Sequence, residues 1–147
     1  PQDAIICACD GVNYLDSLKA AEEFFEAANA ALKVGGLLLF DISSQYKLEN
    51  ILGCNTFAED EQGGAYIWKN NYDPKSRLIE MELTFFERQG ELYRRFTERH
   101  IQRAHGVDEL LSALNRAGFD AEAYDFETMD HVKPDSERVQ FSGRKRR

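Results

Sequence analysis

The sequence has little that would hold it in a membrane or suit it to an oxidising compartment. Its 147 residues contain no unbroken apolar run of about 18 residues, the length that a transmembrane helix needs. The first residues lack the basic segment and the cleavage site of a secretion signal. Three cysteines, Cys7, Cys9 and Cys54, cannot all pair within the chain. These features predict a cytoplasmic protein with reduced thiols and no membrane partner.

Positive charge is also scarce. The chain carries 18 lysines and arginines against 26 aspartates and glutamates, a net charge of −8, although residues 144–147 are all basic. Nucleic-acid binding needs a basic face, so we expect no nucleic-acid partner. The basic end either contacts an anion or is a frayed, solvated terminus, and the second is the commoner case.

Recognisable metal-binding patterns are missing as well. The histidines and the paired cysteines do not follow any of the spacings that hold zinc, and no second cysteine pair accompanies the first. We therefore expect no metal site. The residues concerned are His100, His105, His131, Cys7 and Cys9.

Residues 1–45 have the pattern of a strand–helix–strand unit. Residues 4–9 and 37–42 are short apolar runs, typical of strands buried on both faces of a parallel sheet. Between them, one apolar stripe at spacings of three and four residues predicts a helix over 17–33. Asp16 or Ser17 can cap its start, and Gly35-Gly36 can cap its end. The two strands should be parallel and close neighbours in one sheet.

The pattern changes to strict alternation in residues 55–104. Three extended segments, 65–72, 77–88 and 91–104, predict an antiparallel meander with Ile79, Met81, Leu83 and Phe85 on its buried face. Residues 105–147 return to a helix, which begins near Val107 and ends at Gly118, followed by strands over 119–127 and 137–143.

Four segments, in this order, resemble the second half of a class I SAM-dependent methyltransferase. Residues 3–15 (DAIICACDGVNYL) resemble the family's fourth strand and the loop after it, and residues 31–42 (ALKVGGLLLFDI) its fifth strand. Residues 55–86 resemble an insert found in a bacterial small-molecule subgroup, and residues 111–119 (LSALNRAGF) a helix-to-strand passage. The resemblance implies a partial Rossmann-like α/β sheet carrying an inserted three-stranded meander.

The first half of the family pattern has no counterpart here. The family holds SAM on a glycine-rich loop and its ribose on an acidic residue, and Gly35-Gly36 and Gly63-Gly64 do not have the G-x-G-x-x-G spacing. The chain also begins two residues before an apolar strand and without methionine. We expect a piece of a longer enzyme, which binds SAM mainly through its other half.

The resemblance implies which residues face the ligands. Within the family the fourth strand ends beside the methyl donor, so Ala8, Cys9 and Asp10 are expected to contact the cofactor. Asp10 and Tyr14 are the candidate catalytic residues. Asp10 either accepts a proton or a hydrogen bond, or only forms a turn with Gly11. Cys9 is interpreted as a packed thiol rather than a nucleophile.

Acceptor contacts are expected from the same rim of the sheet and from the meander. Residues 41–44 (DISS), among them Asp41, end the second strand on this rim and could line the acceptor pocket together with Tyr46; alternatively, Ser43 or Ser44 only caps a helix. Aromatic rings can stabilise a sulfonium or simply pack in the sheet. The strand around Arg95 either recognises an anionic group or is a solvated face. The candidate substrate-binding residues are Asn13, Tyr46, Trp68, Tyr72 and Arg95.

Two functions remain open at this stage. The first is SAM-dependent methyl transfer to a small acceptor, with this chain supplying the acceptor-side half of the site. The second is a non-catalytic interaction or dimerisation module built on the meander, which would bind either a partner or, in a homo-oligomer, a second copy of the chain.

Overall fold

A computed structural model describes residues 1–146, which form eight strands and two α-helices in two sheets. The basic end predicted to be solvated lies partly outside this range, at Arg147. No helix in the described range is long and apolar enough to cross a membrane. In chain order the elements are β1 (Gln2–Cys7), α1 (Leu18–Ala31), β2 (Leu32–Ser43), β3 (Thr56–Glu61), β4 (Gly64–Asp73), β5 (Leu78–Gln89), β6 (Leu92–Arg103), α2 (Val107–Arg116), β7 (Phe119–Asp125) and β8 (Arg138–Lys145).

The first sheet has the order β1-β2-β8-β7, and we call it the α/β sheet. Strands β1 and β2 are parallel, in register from Ala4 opposite Leu37 to Cys7 opposite Phe40, as the sequence predicts. Strand β8 runs antiparallel to both β2 and β7. Parallel neighbours joined through one helix form the unit on which the site is built.

Helix α1 begins as expected and ends differently. The Ser17 hydroxyl accepts a hydrogen bond from the Ala20 amide at 3.1 Å, which caps the start. The predicted cap by Gly35-Gly36 is wrong, because Leu32 in an extended conformation ends the helix. Gly35 takes φ 78° inside β2, where the β1–β2 pairing skips residues. The two glycines thus accommodate a bulge at the start of β2.

The main core lies between the α/β sheet and its two helices. Phe40 and Phe141 stack at a centroid distance of 4.7 Å, and Phe25 of α1 lies 5.4 Å from Phe40. The expectation that the first strand is buried on both faces is wrong, since Ile6 is 71% exposed. Strand β1 lies at the edge of the sheet, and the two helices cover the opposite face.

The second sheet is an antiparallel meander of four strands, β3-β4-β5-β6, rather than three. The additional strand is β3, which pairs along β4 with Phe57 opposite Trp68. The burial of the β5 face is strongest near the α/β sheet. Ile79 and Met81 are buried there, whereas Leu83 and Phe85, farther along the same face, are only partly covered.

A cluster of charges joins the meander to α2. The Glu109 carboxylate accepts hydrogen bonds from Arg77 at 2.7 Å, from Arg103 at 3.0 Å and from the Gly106 amide at 3.1 Å. Burial alone would raise the pKa of Glu109, but these three hydrogen bonds outweigh it and lower the pKa. The contact fixes the end of β6 and the β4–β5 turn against the start of α2.

Replacing Glu109 with glutamine should lower the free energy of unfolding by about 2 kcal/mol at neutral pH, because Arg77 and Arg103 lose a shared carboxylate in a partly buried place. Denaturant titration measures this difference. A lowered pKa means that the stabilisation is present above the unfolded value of 4.5 and is lost as the pH falls, so the difference should shrink in acid. Glu23→Gln, at an exposed helix pair, is the control. Equal losses from both variants would contradict the prediction.

The basic C-terminal residues that the structure describes are bound, so the expectation of a frayed end is wrong for them. The Lys145 ammonium donates to the carbonyls of Asn29 at 2.6 Å and Leu32 at 2.8 Å, at the end of α1. A cation at the C-terminal end of a helix also interacts favourably with the negative end of the helix dipole. Arg144 donates to the Gly35 carbonyl at 2.8 Å.

Candidate active site

The candidate site is a cavity of about 240 Å³ between the two sheets. One side is formed by the segments that follow β1 and β2, at the carboxyl ends of these parallel strands, where open α/β sheets bind ligands. The other side is the inner face of the meander. The lining residues are Asp10, Tyr14, Ser43, Lys47, Leu52, Trp68, Met81, Leu83, His100, Gln102 and Arg138.

The loop after β1 has an unusual backbone that a buried carboxylate stabilises. Cys9 and Asp10 adopt φ 58° and 50°, in the left-handed region that costs free energy for residues other than glycine. Asp41, near the end of β2, accepts a hydrogen bond from the Cys9 amide at 2.8 Å and from the Asp10 amide at 3.2 Å. Its carboxylate thus fixes the loop that carries the candidate residues.

Arg138, the first residue of β8, links two carboxylates at this end of the sheet. Its guanidinium donates to Asp10 at 3.1 Å and also to Asp41. Burial alone would lower the pKa of Arg138, but the neighbouring carboxylates of Asp41 and Asp10 outweigh it and raise the pKa. The three residues form an ionic cluster, Asp10–Arg138–Asp41, of which Asp10 and Arg138 line the cavity.

Asp10 makes its hydrogen bonds across the site rather than to its own turn. It accepts from Gln102 of β6 at 2.8 Å as well as from Arg138, and its side chain makes no capping bond to the short helical turn that follows. The side chain of Asp10 therefore does not form the turn with Gly11 that was one alternative, and its catalytic role stays a prediction. Cys9 is exposed, so its interpretation as a packed thiol is wrong.

Asn13 is completely buried and bonded within the chain. Its amide nitrogen donates to the carbonyls of Ser43 and Arg103, both at 3.0 Å, and its amide oxygen accepts from the Ser43 amide at 2.9 Å. Asn13 therefore joins the loop after β1 to β2 and to β6, which sets the width of the cavity. His105 reinforces this joint through a hydrogen bond to the Leu15 carbonyl at 2.9 Å.

Tyr14 meets a histidine that the sequence patterns did not single out for this site. The Tyr14 hydroxyl lies 3.1 Å from Nδ1 of His100 on β6, and Nε2 of His100 lies 3.2 Å from the Glu98 carboxylate. Tyr14 and His100 both line the cavity. His100 was considered only as a metal ligand, and no group of three metal-ligating side chains forms within residues 1–146.

The meander brings one of the predicted substrate-binding aromatics to the cavity. Trp68 lines it, and its indole nitrogen is buried without a hydrogen-bond partner in the described part of the chain. Tyr72 instead packs in the small core between the meander and residues 47–52. Tyr46 is exposed beside that segment. Arg95 lies on the outer face of β6, because alternate residues of a strand point to opposite faces and His100 points inward.

Of the two expectations for the residues at the end of β2, the helix cap is observed, and the acceptor-pocket role stays a prediction. The Ser44 hydroxyl accepts from the Lys47 amide at 3.0 Å and caps the short helix over Lys47–Leu52. Ser43 and Lys47 line the cavity. Lys47 makes no ion pair with any residue that the structure describes. Asp41 was expected on this rim of the sheet, whereas no sequence pattern indicated Lys47, Gln102 or Arg138.

Comparison with known proteins shows what this arrangement is similar to. The chain is 32% identical over 144 residues to a Bacillus subtilis (strain 168) protein named "Putative methyltransferase YqeM", and the match covers 97% of the chain. A Geobacillus sp. (strain WCH70) protein of the same description is 32% identical over 145 residues. A SAM-dependent methyltransferase from Clostridium acetobutylicum superposes with a TM-score of 0.91 at 32% identity over 99% of the chain. The chain is thus similar over nearly its whole length to SAM-dependent methyltransferases.

The match to the methyltransferases is partial on their side. The chain spans 58% of the Bacillus protein, 59% of the Geobacillus protein and 58% of the Clostridium structure. The resemblance to one half of a class I methyltransferase and the partial Rossmann-like fold are thereby confirmed. The fold also recurs at 14% identity and a TM-score of 0.79 in the methyltransferase CcbJ of Streptomyces caelestis. No family model matches the chain.

Proposed function

We propose that the protein transfers a methyl group from SAM to a small acceptor, and that this chain supplies the acceptor side of the site. The observation that carries the proposal is the cavity at the carboxyl ends of β1 and β2, closed by the meander. At about 240 Å³ it is slightly smaller than most ligand pockets, which suits a small molecule. The three free thiols support a place in the cytoplasm.

The residues at the end of β1 fit one flank of the cofactor. Ala8 and Cys9 are exposed there, and the half-exposed ring of Tyr14 lies beside Asp10 at the mouth of the cavity. When bound, SAM supplies an electrophilic methyl group on a sulfonium. An aromatic face such as that of Tyr14 stabilises a cation by about 0.5–2 kcal/mol.

The acceptor side of the cavity combines an apolar wall with two basic groups. Leu52, Trp68, Met81 and Leu83 offer apolar surface, and Lys47 and His100 offer polar contacts. Methyl transfer depends mainly on holding the two reactants in line in a dry place, which such a wall provides. Structures of the same fold include the sugar N-methyltransferase KedS8 and the amino pentose methyltransferase CalS10, which supports a small acceptor.

The proposal is tested with a full-length protein, meaning a form extended at its N-terminus to the length of the methyltransferases that the chain matches. The assay measures S-adenosylhomocysteine formation with a panel of amines, phenols and amino sugars. Trp68→Ala should lower kcat/KM at least about tenfold, because it removes apolar contact from the acceptor wall, and should leave SAM affinity unchanged. Tyr93→Ala removes an exposed aromatic on the outer face of β6 and serves as the control. No turnover with any acceptor, or equal effects of the two variants, would contradict the proposal.

A second candidate function is an interaction module, which the outer face of the meander favours. Ile67, Tyr93 and Ile101 are exposed on that face. Apolar side chains exposed on a sheet face are available for contact with another chain. Ile101→Lys should then shift the sedimentation coefficient of the protein towards the monomer and leave methyl transfer intact. An unchanged sedimentation profile would remove this candidate.

A further inference from the structure

We propose that Tyr14, His100 and Glu98 form the proton acceptor of the cavity, and hence that the acceptor is a hydroxyl or ammonium group that must lose a proton. The inference rests on the proposed function and narrows its substrate class. Tyr14 and His100 line the same cavity from opposite sides, one from the loop after β1 and one from β6. Glu98 stands two residues before His100 on the same face of that strand.

The direction of the hydrogen bonds follows from the chemistry of the groups. An ionised carboxylate only accepts, so Nε2 of His100 donates to Glu98 across 3.2 Å. In a neutral imidazole the other nitrogen then carries a lone pair. Nδ1 of His100 therefore accepts from the Tyr14 hydroxyl across 3.1 Å. The Tyr14 oxygen keeps its own lone pairs for a group in the cavity.

This arrangement distinguishes His100 from the other histidines. Both ring nitrogens of His105 are bonded internally, to the Leu15 carbonyl and the Arg103 guanidinium, and burial lowers its pKa. His131 lies in the loop after β7, away from the cavity. Glu98 forms an ion pair with no residue other than His100 within the described chain. Its carboxylate is thus committed to orienting the imidazole.

The proton transfer balances without a further reagent. The acceptor's O–H or N–H bond breaks and leaves its electron pair on the oxygen or nitrogen, which becomes the nucleophile. The proton passes to the Tyr14 oxygen while the Tyr14 proton passes to Nδ1 of His100. The product is an imidazolium whose Nε2–H remains bonded to Glu98, which stabilises the new charge. Glu98 is a positioning residue, since it contacts the histidine and not the acceptor.

The charged groups that face Tyr14, His100 and Glu98 are those that line the cavity. Lys47 and Arg138 are positive, Asp10 is negative, and Arg138 is paired with Asp10. A carboxylate or thioether acceptor has no proton to give at neutral pH, so a base beside it would contribute nothing. An amine or phenol gains from a base, by about 10²–10⁴ in rate where general base catalysis operates.

The test uses 4-nitrophenol, whose phenolate absorbs visible light and whose neutral form does not. The full-length protein without SAM is titrated with 4-nitrophenol at a pH where the free phenol is mostly neutral. Binding should raise the phenolate absorbance, because the phenol proton moves to Tyr14 and His100. His100→Gln and Tyr14→Phe should each reduce that rise at least fivefold, and Glu98→Gln should reduce it partly. Glu82→Gln, an exposed carboxylate on the outer face of the meander, should leave it unchanged.

Nitrogen-15 NMR of the histidine rings provides a second readout that does not depend on the probe. His100 should show the Nε2–H tautomer, and Tyr14→Phe should shift its Nδ1 resonance while that of His105 stays in place. The proposal would be overturned by any of three results. These are no rise in phenolate absorbance, a rise that persists in His100→Gln, and an Nδ1 resonance of His100 that does not shift in Tyr14→Phe. Failure of the methyltransferase proposal would appear separately, as absence of S-adenosylhomocysteine with every acceptor.

Discussion

Replacing Asp41 with alanine should lower the free energy of unfolding by about 3 kcal/mol, because the partly buried Arg138 loses one of its two carboxylates and two loop amides lose their acceptor. The residue is 5% exposed and accepts hydrogen bonds from Arg138 and from the amides of Cys9 and Asp10. No water can replace the carboxylate fully at that depth. The strained loop after β1 would lose the contacts that offset its left-handed backbone.

Asp3→Ala is the matched control for this change. Asp3 belongs to the same sheet and pairs with Lys33 at 2.9 Å, but its side chain is 87% exposed. An exposed ion pair contributes about 0–1 kcal/mol, so the variant should melt close to the parent protein. Denaturant titration of both variants measures the difference. Similar losses for Asp41→Ala and Asp3→Ala would show that the ionic cluster does not stabilise the site.

The sequence predicts those elements whose side-chain periodicity is unambiguous. The strand–helix–strand unit follows from two apolar runs and one apolar stripe, and the strands from Gly64 to Arg103 follow from strict alternation. Strand β3 was not predicted, because its sequence, TFAEDE, has three acidic residues in six. The strand lies at one edge of the meander and pairs only with β4. The apolar run over residues 4–9 also did not predict that Ile6 is exposed. An apolar residue in a strand does not reveal whether anything covers it.

The site was predicted less well, because its contacts join distant parts of the chain. Asp10 and Arg138 are 128 positions apart, and Tyr14 and His100 are 86 apart. No local spacing marks such pairs. The resemblance to a family indicated the loop after β1, which accounts for Asp10 and Tyr14. The partners on β6 and β8 emerge only once the meander is folded over that loop, and they decide which side chains reach the cavity.

The 147-residue chain on its own should bind SAM at least about 100-fold more weakly than a form extended at its N-terminus to the length of its methyltransferase relatives. The residues proposed to contact the cofactor, the exposed Ala8 and Cys9, lie at the end of an edge strand and would contact it from one side only. The family's glycine-rich turn and its acidic ribose ligand have no counterpart in this sequence. Polar groups of the cofactor would therefore face water rather than protein.

Isothermal titration calorimetry with SAM on both forms measures the difference. S-adenosylhomocysteine, which lacks the sulfonium charge, separates the cation contribution of Tyr14 from the loss of burial. The shorter form should also self-associate at high concentration, because β1 presents an unpaired edge and the apolar Ile6 side chain to solvent. Micromolar binding by the 147-residue chain alone would mean that the cofactor is held mainly by the cavity between the two sheets. In that case Asp10, Lys47 and Arg138, rather than the end of β1, would be the residues to replace next.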